Sequence, residues 1–218
     1  MAAHFNSVWK DVVSRYGQKI ALSDGVRRLT FEQLDLSAKQ VAAWLNGKNV
    51  TGRCVLILLD DPADSIISML GILLSDNYYF YLQRGTAEKS LREFLPYIDV
   101  GATVKIAGFA TGISVPELVW GEQQEIPDLN AFPGSNASPY FAVFSTSGST
   151  GNPKLVRHRT DFILSESRQS IDIMQITADD RRDYGGSLMF SASLGAIYPT
   201  LLAGAELVLH SVMRNDTL

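Results

Sequence analysis

The sequence predicts an α/β fold of layered sheets with flanking helices. Apolar, strand-like runs ("CVLILL" from Cys54, "YYFYL" from Tyr78, "YFAVFST" from Tyr140) alternate with segments of helical period. "CVLILL" offers no polar face, as expected of a strand buried on both sides in a parallel sheet. Strands alternating with helices close into such a sheet through right-handed crossovers.

Thr30 opens a helix over "TFEQLDLSAKQVAAWLNG", with Gln33 placed as the partner of a capping box. Leu34, Ala38, Val41, Ala42 and Leu45 then recur at helical spacing, and Gly47 stands near the end. After the "CVLILL" strand, Pro62 begins a helix over "PADSIISMLGILLSD", and "YYFYL" returns as a strand. The spacing predicts a further helix from Thr86 to Ile98, then short strands at "TVKIA" and "ELVW". Residues 121–139 hold three prolines with Asn and Ser and little periodicity, so they predict a long surface connection and a possible subdivision of the chain. "YFAVFST" follows as a strand, then a Gly/Ser/Thr-rich loop and a helix from about Asp161 to Met174. A last helix, Leu194 to Leu202, is expected to bend near Pro199 and stop at Gly204 before the strand "AELVLH". No internal repeat is visible.

The chain has 218 residues, a net charge of −4 and no basic run, so nothing marks a nucleic-acid partner. Cys54 is the single cysteine, which excludes an intrachain disulfide and predicts a buried, inert thiol. No apolar stretch reaches the ~18 residues of a membrane span, and "MAAHFNSVWKDVV" lacks the apolar core of a secretory signal. The expected location is the cytoplasm, with no membrane partner.

The densest chemistry lies in "TSGSTGNPK", Thr146 to Lys154. A nucleoside-triphosphate loop of the form G-x-x-x-x-G-K-[ST] fails here, because Pro153 and Leu155 occupy two of its fixed positions. The physics of anion binding survives. Glycines let backbone N–H groups approach an anion, hydroxyls add donors, Lys154 adds a compact charge, and a helix directly after the loop would add its dipole. A serine hydrolase is excluded, since "SASLG" around Ser193 lacks the first glycine of G-x-S-x-G. His4 and His210 show no partners that suggest metal or triad chemistry, and His158 reads as a packing residue before a catalyst.

With these residues in view, "TSGSTGNPKLVRH" resembles the phosphate-loop signature of the adenylate-forming (AMP-binding) superfamily of acyl-CoA synthetases, peptide-synthetase adenylation domains and luciferases. "LTFEQLDLSAKQVAAWL", "MLGILLSDNYYFYLQRGTAEKSLREFL" and "ITADDRRDYGGSLMFSASLGAIYPTLLAGAELVL" resemble further family segments, in the family's order. The resemblance implies the N-terminal part of an adenylation domain over 1–218, with the small C-terminal domain absent. It implies an ATP-dependent ligase, using ATP and Mg²⁺, that joins a carboxylic acid to AMP with release of pyrophosphate and then passes the acyl group to a CoA or carrier-protein thiol. Thr146, Ser147, Gly148, Ser149, Thr150, Gly151 and Lys154 would hold the β- and γ-phosphates. The family's later motifs for Mg²⁺, ribose and a catalytic lysine fall beyond Leu218, so this chain alone is expected to be inactive. The alternative is a truncated, non-catalytic module binding nucleotide or a partner.

Two departures stand out. Leu155 replaces the glycine that usually follows the lysine. Relatives that activate α-amino acids commonly read Phe-Asp where this chain has Phe190 and Ser191, and that aspartate pairs with the substrate ammonium. Ser191 has no charge, which implies an aryl, fatty or other simple carboxylate. Read without the resemblance, Phe190 is a core ring and Ser191 a turn residue.

Overall fold

The carboxyl ends of five parallel strands share one edge of the larger sheet, and that edge organises the molecule. In the computed structural model, which describes residues 4–122, 138–146 and 154–210, the chain runs α1 (Phe5–Tyr16), β1 (Ile20–Ser23), β2 (Arg28–Thr30), α2 (Phe31–Gly47), β3 (Cys54–Leu58), α3 (Pro62–Leu74), β4 (Tyr78–Tyr81) and α4 (Arg84–Phe94). A 3₁₀ turn (Leu95–Tyr97) leads to β5 (Val100–Lys105), β6 (Glu117–Val119), β7 (Tyr140–Thr146), β8 (Lys154–Arg159), α5 (Thr160–Met174), β9 (Arg181–Tyr184), α6 (Ala192–Leu202) and β10 (Glu206–Leu209). The larger sheet has the order β6-β5-β3-β4-β7-β8, and the smaller β2-β1-β10-β9. In the larger sheet every neighbouring pair is parallel except β7 with β8.

Local signals set the helix starts. The Gln33 N–H donates to Thr30 Oγ1 at 3.2 Å and the Thr30 N–H to Gln33 Oε1 at 3.0 Å, completing the capping box. Asp61 caps α3 by accepting the N–H groups of Ala63 and Asp64, while Pro62 occupies a position whose N–H would be unused. Arg27, in the β1–β2 turn, bridges Asp24, Asp61 and Asp64, and so ties the smaller sheet to the head of α3. At Gly204, φ is +79° and a side-chain carbon would lie 2.4 Å from the Tyr16 ring, so the turn out of α6 requires glycine.

All five residues of β3 are buried, as "CVLILL" predicts. Val55 and Ile57 face a core shared with α1, α2, α3 and α6, which fills the space between the two sheets. Cys54, Leu56 and Leu58 face a second core beneath α4, with Ala87, Leu91 and Phe94. Burial raises the Cys54 thiol far above its ordinary pKa, leaving it un-ionised. Phe141 of β7 lies at the centre of the first core, 4.5 Å from the Tyr198 ring and 5.7 Å from Phe5. Tyr198 donates from its hydroxyl to Tyr79 at 3.1 Å, joining α6 to β4 within the buried core.

The structure adds elements the sequence reading missed: α1, the β1–β2 hairpin, β8 and β9. The possible boundary near 121–139 falls largely on 123–137, outside the described residues.

In the smaller sheet Glu206 accepts from the Ser23 hydroxyl at 2.7 Å and from Arg181 Nε at 2.8 Å. Burial pushes this carboxyl up, but the Ser23 and Arg181 contacts outweigh it and hold it below its ordinary value. A depressed carboxyl stabilises the fold fully above its unfolded pKa, about 4.3, and the contribution is lost as pH falls through the lower folded value. Glu206→Gln is therefore expected to flatten the fall of melting temperature below about pH 4.3. Thermal melts across an acid series check this; an equally steep fall in the variant would contradict it.

Candidate functional site

Thr146 ends β7 and Lys154 begins β8, and the two are register partners across the antiparallel pair. Because β7 is parallel to β4, and through it to β3 and β5, both residues stand at the carboxyl edge of the sheet. Ligands of open α/β sheets bind outside that edge. Both side chains are exposed, and the Thr146 hydroxyl donates to the Lys154 carbonyl at 3.4 Å. Ser147, Gly148, Ser149, Thr150 and Gly151 lie outside the described residues.

The segment after Lys154 corrects one expectation. A strand, not a helix, follows the loop, and α5 begins only at Thr160. A helix dipole falls off within its first turn, so α5 contributes none at Lys154. Leu155 gains a reason: as a residue of β8 it packs its partly buried side chain against the core beneath α4. On the other face of β8, His158 meets the Phe144 ring edge-on at 5.4 Å. Burial lowers its pKa, opposed by the Glu166 charge, so the imidazole is a neutral packing group. His210, just past β10, has its Nε2 3.1 Å from Asp183 Oδ2 in an exposed pair.

Phe190 and Ser191 close the turn between β9 and α6. Phe190 is 66% exposed, so it is not the core ring that a bare sequence reading gives. Ser191 directly precedes α6 and makes no capping bond with its side chain. Met189 Sδ lies 3.8 Å from Thr86 Oγ1, at the start of α4, so the turn rests against the chain leaving the carboxyl end of β4. The edge that carries Thr146 and Lys154 thus also carries this turn. Sequence reasoning missed the side chains that hold it, Tyr184, Ser187 and Ser193; the glycine pair in "DYGGS" was the available signal.

Among the described residues no group of three or more His, Cys, Asp or Glu is arranged to hold a metal ion. Among them no helix is long and apolar enough to cross a membrane.

A mostly parallel sheet with the ends of an antiparallel strand pair at its carboxyl edge defines a class of α/β proteins that bind ligands at that edge. The particular family follows from comparison with known proteins. A family model described as AMP-binding enzyme matches residues 9–217, and the chain belongs to that family. Cyclosporin synthetase simA of Tolypocladium inflatum is 29% identical over 99% of this chain, which spans 2% of that relative. Holo-PA1221, a nonribosomal peptide synthetase protein containing adenylation and PCP domains, superposes with a TM-score of 0.80 at 21% identity, covering 97% of this chain and 36% of that one. The N-terminal subdomain of Klebsiella oxytoca NpsA in complex with 3-hydroxyanthranilyl-AMSN gives a TM-score of 0.78 at 20% identity, with 94% and 53% covered. At these structural identities the likeness carries the fold. The chain spans only 2% to 5% of the first curated relatives it matches.

Proposed function

We propose that this chain is the N-terminal, phosphate-holding part of an ATP-dependent ligase that activates a carboxylic acid as its acyl-adenylate. The observation that carries the reading is the pairing of Thr146 with Lys154 at the carboxyl edge of the larger sheet. The two ends of the loop supply a hydroxyl and an ammonium beside the glycines and hydroxyls of Ser147, Gly148, Ser149, Thr150 and Gly151. That donor set fits the β- and γ-phosphates of ATP.

The acid's oxygen attacks the α-phosphorus, and the bond to pyrophosphate breaks with its electron pair leaving on the pyrophosphate oxygen. Lys154 and the loop donors neutralise the charge that grows there, and they act most strongly in the transition state. Mg²⁺ would travel with the phosphates and screen the same charge; the described residues offer it no ligand set, and no step is assigned to it. A carrier-protein thiol as the acyl acceptor is supported by the PCP domain named beside the adenylation domain in the PA1221 relative, and a CoA thiol would serve the same chemistry. Acid-dependent exchange of labelled pyrophosphate into ATP by the complete protein tests the reading; no exchange with any carboxylic acid would sink it.

Phe190 and Ser191 are assigned to the acid pocket, which favours acids without an α-ammonium group. A side-chain carbon at Gly195, one turn beyond Ser191, would meet nothing within 4 Å, so this end of α6 leaves room. Ser191→Asp is expected to shift the exchange ratio of L-phenylalanine to benzoate by about tenfold or more, the worth of one charge-assisted hydrogen bond. An unchanged ratio would remove Ser191 from the pocket.

A further inference from the structure

The turn that carries the exposed Phe190 ring is fastened from beneath by the side chains of Tyr184, Ser187 and Ser193. Tyr184, the last residue of β9, is 8% exposed, and its hydroxyl donates to the Ser187 carbonyl at 2.9 Å. Ser187 Oγ accepts the Met189 N–H at 3.2 Å, and the Ser187 carbonyl accepts the Phe190 N–H at 3.4 Å. From the helix side, Ser193 donates twice to the Phe190 carbonyl, from its hydroxyl at 2.8 Å and its N–H at 3.0 Å. Burial raises the Tyr184 phenol, and the neighbouring Ser193 works against that rise. A side-chain carbon at Gly186 would lie 3.0 Å from the Tyr184 hydroxyl oxygen and 3.1 Å from its ring, so the backbone passes close over the phenol and a side chain there would be tightly crowded.

We infer that Tyr184 is a positioning residue: with Gly186, Ser187 and Ser193 it fixes Phe190 and Ser191 as a rigid wall of the acid pocket, and so governs how well the carboxylic acid, but not the nucleotide, is held. The inference rests on the assignment of Phe190 and Ser191 to that pocket. An exposed aromatic ring on a loose turn would lose backbone freedom whenever a ligand packed against it; on this frame that backbone entropy is already spent in folding.

The test is pyrophosphate exchange by the complete protein with benzoate, hexanoate and L-phenylalanine, comparing wild type with Tyr184→Phe, Ser193→Ala and Phe190→Ala. Tyr184→Phe keeps the ring and removes only the hydroxyl. It is expected to raise KM for the best acid about 3- to 10-fold, with KM for ATP and the melting temperature unchanged. Ser193→Ala is expected to move the same constant less, because the Ser193 N–H still holds the Phe190 carbonyl. An unchanged acid KM in Tyr184→Phe, beside a changed one in Phe190→Ala, overturns the inference and leaves the acid pocket standing. A rise in both KM values with a lower melting temperature also overturns it, since Tyr184 would then support the fold generally. An unaffected acid KM in Phe190→Ala, or exchange with none of the three acids, removes the pocket assignment and the inference with it.

Discussion

Lys154→Ala in the complete protein is expected to lower acid-dependent pyrophosphate exchange by about 100-fold, the usual loss when one preorganised charge-stabilising donor is removed. The fold should be untouched. Lys154 is exposed at the start of an edge strand, and among the described residues its removal leaves no buried partner unsatisfied. Lys154→Arg is expected to recover only part of the rate, because a planar fork meets phosphate differently from a compact ammonium. Exchange at the wild-type rate in Lys154→Ala would show that the loop does not hold the leaving pyrophosphate.

Phe141→Ala is expected to produce the largest loss of stability, about 3–5 kcal/mol. The ring is fully buried and touches α1 through Phe5, β4 through Tyr79 and α6 through Tyr198, at centroid distances of 5.7, 6.2 and 4.5 Å. Its loss opens a cavity where the larger sheet meets the helices between the sheets, and three elements would have to move together to fill it. Chemical denaturation with a thermal melt measures the change. A loss below about 1 kcal/mol would mean that this junction repacks freely, against the close packing expected of a core.

Elements driven by local signals were legible in the sequence. The Thr30 and Asp61–Pro62 starts, the fully apolar β3 and the left-handed stop at Gly204 each follow from a few neighbouring residues. The missed elements divide by cause. Helix α1 was readable, since Phe5, Trp9 and Val12 recur on one face and are buried there. Strands β8 and β9 were not. "KLVRHR" and "RRDY" are edge strands with mostly exposed or half-buried side chains, and their pairing is decided by neighbours distant in sequence. That omission turned a hairpin loop into a loop before a helix. For the candidate site, the loop chemistry was legible because glycines, hydroxyls and a lysine are dense in one segment. The frame under Phe190 was not, because a tyrosine, a glycine and two serines acquire that role only when β9 brings them beneath α6.

The proposal at the centre is that the residues from Thr146 to Lys154 hold the phosphates of ATP. Hydrogen–deuterium exchange of the complete protein, with and without ATP and Mg²⁺, addresses it without requiring knowledge of the acid. Slowed exchange in peptides spanning residues 144–159, lost in Lys154→Ala, is the expected result. Nucleotide-dependent slowing elsewhere in the protein, with these peptides unchanged, would contradict it.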